Sequence, residues 1–178
     1  MTSSAAPNTS DSRAPAVHPN STFMRAHPAH WIAMGFGSGL PRIMPGTFGT
    51  LFGWLSFNVL IWRFPDIFTP WAWAFFISAG FLVGIWACNV TGRNLGVSDH
   101  GSMVWDEIIA IWLVMLFVTP AGAGMQFVAF LIFRLFDMVK PPPIKQIERR
   151  FKGGFGVMID DLVAAFLTLL VIAIWYRL

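Results

Sequence analysis

Seven of the nine acidic residues in this 178-residue chain lie in its second half, in a pattern that could bind a metal ion. Adjacent acids occur twice, at 106–107 and 160–161, and a further acid lies between the two pairs. Mg²⁺ prefers oxygen ligands and usually keeps water and substrate phosphate in its shell. We therefore predict a magnesium site whose ligands and general base come from Asp106, Glu107, Asp137, Asp160 and Asp161.

Helix capping is the alternative role for these acids, because the helix dipole stabilises negative charge near an N-terminus. The pairs 106–107 and 160–161 fall near the predicted starts of apolar segments, which fits capping. Capping does not explain Asp137, which falls at a predicted helix end, nor why two adjacent acids occur twice.

Two basic residues accompany Asp137 at helical spacing. Arg134, Asp137 and Lys140 are three residues apart, so they lie near one face of a helix. Arginine can bind a phosphate through two parallel hydrogen bonds, and lysine supplies a point charge. We predict that both bind substrate phosphate. The alternatives are an ion pair for Arg134 and extension of Lys140 towards the membrane surface.

Glycine-rich stretches occur at residues 35–47 and 153–156. Such stretches suit anion binding through backbone N–H groups, so Ser38 and Thr47 are predicted phosphate contacts. Close helix packing is the alternative reason for these glycines. His100, a few residues before Asp106, is either a general acid or base or a hydrogen-bonded loop residue.

The composition indicates a membrane protein. Hydrophobic residues make up 56% of the chain, charged residues 12%, and the mean hydropathy is +0.62. A soluble domain has about 25% charged residues, so an ordinary soluble enzyme and a disordered protein are both excluded. The net charge of +3 comes from basic residues between apolar segments, which favours membrane orientation over nucleic-acid binding.

The fold class predicted from the apolar segments is an all-α, polytopic membrane helix bundle. Five segments are candidates for spans, at residues 46–64, 71–90, 103–118, 125–139 and 159–176. The N-terminal side has three arginines, the second connection has Arg93, and the fourth connection has five basic residues, whereas the first has Arg63 together with Asp66 and the third has none. The positive-inside rule then places the N-terminus and the second and fourth connections in the cytoplasm. The seven acids of the second half then map to the cytoplasmic side. Since the third and fourth segments are short, four spans plus a re-entrant element is the alternative.

The chain is predicted to have one domain behind a tail. Residues 1–25 are rich in Ser, Thr, Pro, Ala and Asn, and we expect a disordered cytoplasmic tail. Residues 26–178 form the membrane-embedded domain. The chain lacks the Cys-x5-Arg, Asp-x-Asp-x-Thr/Val and histidine-type phosphatase signatures, so any phosphate chemistry would depend on metal and carboxylates.

Five motifs in this order resemble the bacterial phosphatidylglycerophosphatase A family, from about Trp31 to the end. They are Gly35-Phe36-Gly37-Ser38-Gly39-Leu40, Pro45-Gly46-Thr47, the stretch from Asp99 to Glu107, the stretch from Phe133 to Pro141, and the stretch from Gly153 to Asp161. The resemblance implies a Mg²⁺-dependent phosphatase of the bacterial inner membrane with a cytoplasmic active site. Its substrate would be phosphatidylglycerophosphate and its product phosphatidylglycerol.

The chain departs from the family pattern at two places. Pro41-Arg42 stands where Ser-Pro is frequent, and Val139 where an aromatic residue is frequent. Neither change removes an acid or Lys140, but the role of Arg42 stays open.

Several alternatives to this reading stay open. Within enzymes, these are a covalent aspartyl-phosphate in place of direct water attack, and another lipid phosphate, such as phosphatidic acid, as the substrate. A small transporter would spread its acids across the bilayer depth or place them at its midplane, and a non-catalytic assembly subunit would need no acidic cluster. The oligomeric state is not predicted.

Overall fold

The computed structural model describes residues 18–177, apart from the side chain of Glu148, and these residues form helices and no strands. The helices are α1 (Ser21–Arg25), α2 (Pro28–Ala33), α3 (Pro45–Arg63), α4 (Pro70–Leu95), α5 (Trp105–Val118), α6 (Ala123–Val139), α7 (Ile144–Arg150) and α8 (Gly153–Trp175). The all-α prediction is confirmed. Residues 1–17 of the predicted tail lie outside the described residues.

Local sequence signals set the ends of the long helices. Proline occupies the first position of α3 and of α4, where a missing N–H costs no intrahelical bond. Thr69 caps α4 by accepting a hydrogen bond from the Ala72 N–H, and Gly96 ends the helix in the left-handed conformation. Helix α6 ends at Val139, Lys140 follows it as the C-cap, and the prolines at 141–143 prevent its continuation.

All five predicted spans are helical, but they differ in length. By length and composition, two of the described helices, α4 and α8, could cross a membrane. Helices α5 and α6 have 14 and 17 residues. They are therefore about 21 and 26 Å long, below the ~30 Å of a hydrocarbon core. The structure thus indicates a membrane-associated helical protein, and five crossings stay a prediction.

Helix α5 lies at the centre of the bundle and contacts α3, α4, α6 and α8. Ile108, Ile111 and Met115 on this helix are fully buried. Helix α8 packs against α4, α5 and α6, and it comes very close to α4 at Gly154. A Cβ atom at Gly154 would overlap the Ile85 carbonyl oxygen, so a glycine is required for this crossing.

Two sequence predictions need correction at the level of local structure. The last predicted helix was expected to begin at residue 159, but α8 begins at Gly153 and includes the second glycine-rich stretch. Asp160 and Asp161 therefore lie two turns inside α8, where an N-terminal capping role does not apply. Helix α1 occupies the last five residues of the expected tail, and its Met24 is buried against the domain.

Candidate active site

The five predicted acids come together at one end of the bundle. Asp106 and Glu107 lie in the first turn of α5, Asp137 in the last turn of α6, and Asp160 and Asp161 in α8. Four of them are buried, with exposed fractions of 8% and 9% for the α5 pair and 3% for each α8 residue. Three helices thus direct their carboxylates into one largely buried region.

The carboxylates form two overlapping groups. We call Asp106, Asp160 and Asp161 the Asp106 group, and we call Glu107, Asp137 and Asp161 the Glu107 group. Within each group, one carboxylate oxygen from each residue lies within 4.8 Å of the others. This spacing is suited to oxygen ligands that surround one divalent cation.

Arg134 lies beside the Glu107 group. Its Nη1 is 2.5 Å from Asp137 Oδ2 and 3.7 Å from Glu107 Oε1, and its side chain is only 11% exposed. The Nε atom is buried without a hydrogen-bond partner. The ion pair considered from sequence is therefore present, and a donor remains available for another anion.

Lys140 makes the corresponding contact with the Asp106 group. Its Nζ donates to Asp160 Oδ2 over 2.7 Å, and its side chain is 26% exposed against 5% for the acid. The lysine therefore points into the cluster, and extension towards the membrane surface does not describe its position. Because the Lys140 side chain is partly exposed, this side of the cluster lies near the protein surface.

Thr50, which was not among the predicted site residues, and Gly46, which lies in the first glycine-rich stretch, both contact the site. The Thr50 hydroxyl donates to the Gly46 carbonyl over 2.8 Å and accepts from Arg134 Nη1 over 3.3 Å. A Cβ atom at Gly46 would overlap Glu107 Oε1 and would lie 3.2 Å from the Arg134 guanidinium. The available signal was their spacing, since residues 46 and 50 share one face at the start of α3.

Ser38 and His100 make hydrogen bonds within their own loops. The Ser38 hydroxyl donates to the Gly35 carbonyl, and His100 Nδ1 accepts from the Ser102 N–H. Burial lowers the pKa of His100, the nearby His18 lowers it further, and Asp99 has the opposite effect. Both metal-ligand groups consist of carboxylates alone. Roles for Ser38, Thr47 and His100 in chemistry stay predictions.

The carboxylate oxygens suit a hard divalent cation. Asp106 Oδ1, Glu107 Oε2 and Asp161 Oδ2 are buried and have no hydrogen-bond partner among the residues that the structure describes. Leaving a charged oxygen in this state is costly unless a cation binds to it. The donor set contains only oxygen, which favours Mg²⁺, Mn²⁺ or Ca²⁺ over metals that prefer sulfur or nitrogen.

Comparison with known proteins gives a consistent result. Residues 31–176 match the family model described as Phosphatidylglycerophosphatase A. The Escherichia coli protein of that name is 39% identical over 140 residues, which is 78% of each chain. The Haemophilus influenzae protein of the same name is 37% identical over 146 residues, covering 82% of this chain and 87% of the relative.

A third relative carries a different name. A Bacteroides thetaiotaomicron protein, provisionally named phosphatidylinositol-3-phosphatase, is 35% identical over 145 residues, or 80% of this chain and 90% of its own. No solved structure matches the chain significantly. The match of the family model spans most of the chain, and it includes all five acids and both basic residues of the site. The resemblance seen in the motifs is therefore confirmed, and the chain belongs to the phosphatidylglycerophosphatase A family.

Proposed function

We propose that this protein is a lipid phosphatase that hydrolyses the terminal phosphate of phosphatidylglycerophosphate and thereby produces phosphatidylglycerol. The names of the relatives from Escherichia coli and Haemophilus influenzae support this substrate. The observation that carries the proposal is the buried cluster of five carboxylates from three helices, flanked by Arg134 and Lys140. Buried acids beside basic side chains suit metal-assisted phosphoryl transfer.

The proposed reaction is a direct attack of water on phosphorus. The bond between phosphorus and the glycerol oxygen breaks and a bond to the water oxygen forms. The glycerol oxygen takes up the proton that the general base removed from the water and leaves as a hydroxyl group. Mg²⁺ held by the carboxylates would polarise the phosphate and lower the pKa of a bound water. One carboxylate accepts the proton of the attacking water, with His100 as the alternative base.

The basic residues neutralise the charge of the transferred group. Arg134 is oriented by Asp137 and Thr50, so its guanidinium has a defined direction before substrate binds. This preorganisation favours the transition state because no reorganisation is needed during the reaction. Lys140 acts from the more exposed side, and Thr47 is proposed to donate a hydrogen bond to the same phosphate. Ser38 is proposed to do so by exchanging its present hydrogen bond to the Gly35 carbonyl.

We further propose five membrane crossings in the inner membrane, with the site at the cytoplasmic face. The cytoplasmic side would then hold the starts of α3, α5 and α8 and the ends of α4 and α6. This agrees with a cluster built from α5, α6 and α8. Highly exposed aromatic residues occur at the opposite helix ends. They are Trp62, Trp71, Trp175 and Tyr176. Such residues are typical of a membrane interface.

The test is release of phosphate from phosphatidylglycerophosphate by the purified full chain in detergent. We expect release with Mg²⁺, loss with EDTA, and recovery when Mg²⁺ is returned. Asp106→Asn should lower the rate by at least about a hundredfold, because it removes a buried ligand. Asp66→Asn is the matched control, since Asp66 is exposed and lies outside the cluster. Normal release by a folded Asp106→Asn variant would refute the site assignment.

A related lipid phosphate is the second candidate substrate. The name of the Bacteroides thetaiotaomicron relative favours considering it, because that protein shares 35% identity with this chain. Phosphatidic acid and phosphatidylinositol 3-phosphate should be assayed beside phosphatidylglycerophosphate at equal surface concentration. A higher kcat/KM for either one would replace the proposed substrate but leave the phosphatase chemistry in place.

A further inference from the structure

The two carboxylate groups share one residue. Asp161 belongs to both the Asp106 group and the Glu107 group, whereas the other four acids belong to one group each. Successive residues of a helix point about 100° apart. Asp106 and Glu107, although adjacent in α5 and in contact with each other, can therefore belong to two different groups that share Asp161. This explains why an adjacent pair of acids is useful at the start of α5.

Each group also contains an unsatisfied oxygen. Among the described residues, Asp106 Oδ1, Glu107 Oε2 and Asp161 Oδ2 lack hydrogen-bond partners, and Asp106 and Asp161 are more than nine-tenths buried. Buried polar atoms are normally paired, so these oxygens point to ligands at both positions. A single ion in one group would leave an unpaired carboxylate oxygen in the other group.

The charge balance supports the same conclusion. When all five carboxyl groups are ionised, they carry three more negative charges than Arg134 and Lys140 supply positive ones. One divalent cation would leave the cluster negative, and a phosphate dianion would be repelled from it. Two divalent cations make the cluster positive, which favours binding of the phosphate and stabilises charge on the attacking and leaving oxygens.

We propose that the site binds two divalent cations at once, one in each group, with the Asp161 carboxylate as the ligand common to both. The inference rests on the proposed phosphatase function and goes beyond it in the number of ions and in the assignment of ligands. Asp160 serves the first ion alone, and Glu107 and Asp137 serve the second ion alone.

The direct test counts ions without measuring activity. Metal-free full-length protein in detergent is titrated with Mn²⁺ and examined by isothermal calorimetry and by electron paramagnetic resonance. We expect two Mn²⁺ per chain and a spectrum broadened by exchange coupling between them. One Mn²⁺ per chain with an uncoupled six-line spectrum would overturn the proposal.

Variants of the unshared ligands separate the two positions. Asp160→Asn and Glu107→Gln should each bind one Mn²⁺ with an uncoupled spectrum, because each removes a ligand of one ion only. The Asp66→Asn control should bind two. If both variants lost all Mn²⁺ while eluting and melting as folded protein, the acids would form one site and the proposal would be wrong.

The outcome is separable from that of the proposed function. Two coupled Mn²⁺ in a protein that releases no phosphate from the lipids would refute the phosphatase but support the two-ion site. Phosphate release by a protein that binds a single ion would support the phosphatase and overturn this inference alone.

Discussion

Gly46 offers the most discriminating test of the site geometry, because a single methyl group added there reaches two residues of the site, Glu107 and Arg134. Gly46 is the second residue of α3, and a Cβ at this position would overlap Glu107 Oε1 and approach the Arg134 guanidinium to 3.2 Å. Both obstacles are side-chain ends. We therefore expect Gly46→Ala to fold, with these side chains displaced from the cluster.

The size of the effect follows from the displacement. Ordinary contacts between heavy atoms lie near 3.5 Å, so the Glu107 carboxylate must withdraw by about 1 Å. Misplacement of a reacting group by 1 Å can reduce the rate about a hundredfold, equivalent to about 2.7 kcal/mol of transition-state stabilisation. Alanine is favoured over glycine inside a helix by up to about 1 kcal/mol, so we expect no large loss of stability.

The assay compares kcat/KM for phosphatidylglycerophosphate with the melting temperature in the same detergent. Gly124→Ala is the matched control, since Gly124 is the second residue of α6 and a Cβ there would contact nothing within 4 Å. We expect Gly46→Ala to lose about a hundredfold in kcat/KM, and Gly124→Ala to keep wild-type activity. Full activity of a folded Gly46→Ala protein would refute the assignment of Glu107 and Arg134 to the site.

Three further predictions concern positioning, pH and packing. Thr50→Val should lower kcat/KM about tenfold, because Arg134 loses a hydrogen bond worth ~1.5 kcal/mol, whereas Thr50→Ser should keep most of the activity. Burial, and then the charge of His27, lower the pKa of His30, so the folded state disfavours the protonated ring. The melting temperature should therefore fall as the pH drops below about 6.5, and it should fall less in His30→Gln. If the melting temperature changed with pH equally in the wild type and in His30→Gln, this explanation would be contradicted. Gly154→Ala should reduce the free energy of unfolding by ~1–3 kcal/mol, because the added methyl group overlaps the Ile85 carbonyl. Gly122→Ala is the control, since a Cβ there meets open space. Equal denaturation midpoints for the two variants would refute the close crossing of α4 and α8.

Local sequence signals were sufficient to predict the five long helices and the acidic cluster, but not the short helices α1, α2 and α7. Apolar segments of helical length, bounded by prolines, glycines and basic residues, predict most ends of the long helices to within about five residues. The alternation of basic connections placed the acids of three helices on one side, and the structure brings these five acids together. The start of α8 was missed because glycines 153–156 are typical of a loop, and only the close approach to α4 explains them as helix.

The sequence by itself determined the class of protein and the five long helices, and it predicted the chemical type of the site, because these depend on composition, periodicity and residue type. Only the tertiary structure decided the pairing of Lys140 with Asp160, the contact of Thr50 with Arg134, and the position of Asp161 in both carboxylate groups. These features depend on how far each helix is rotated and shifted against its neighbours. That rotation is set by side-chain packing between distant parts of the chain, which no local pattern records.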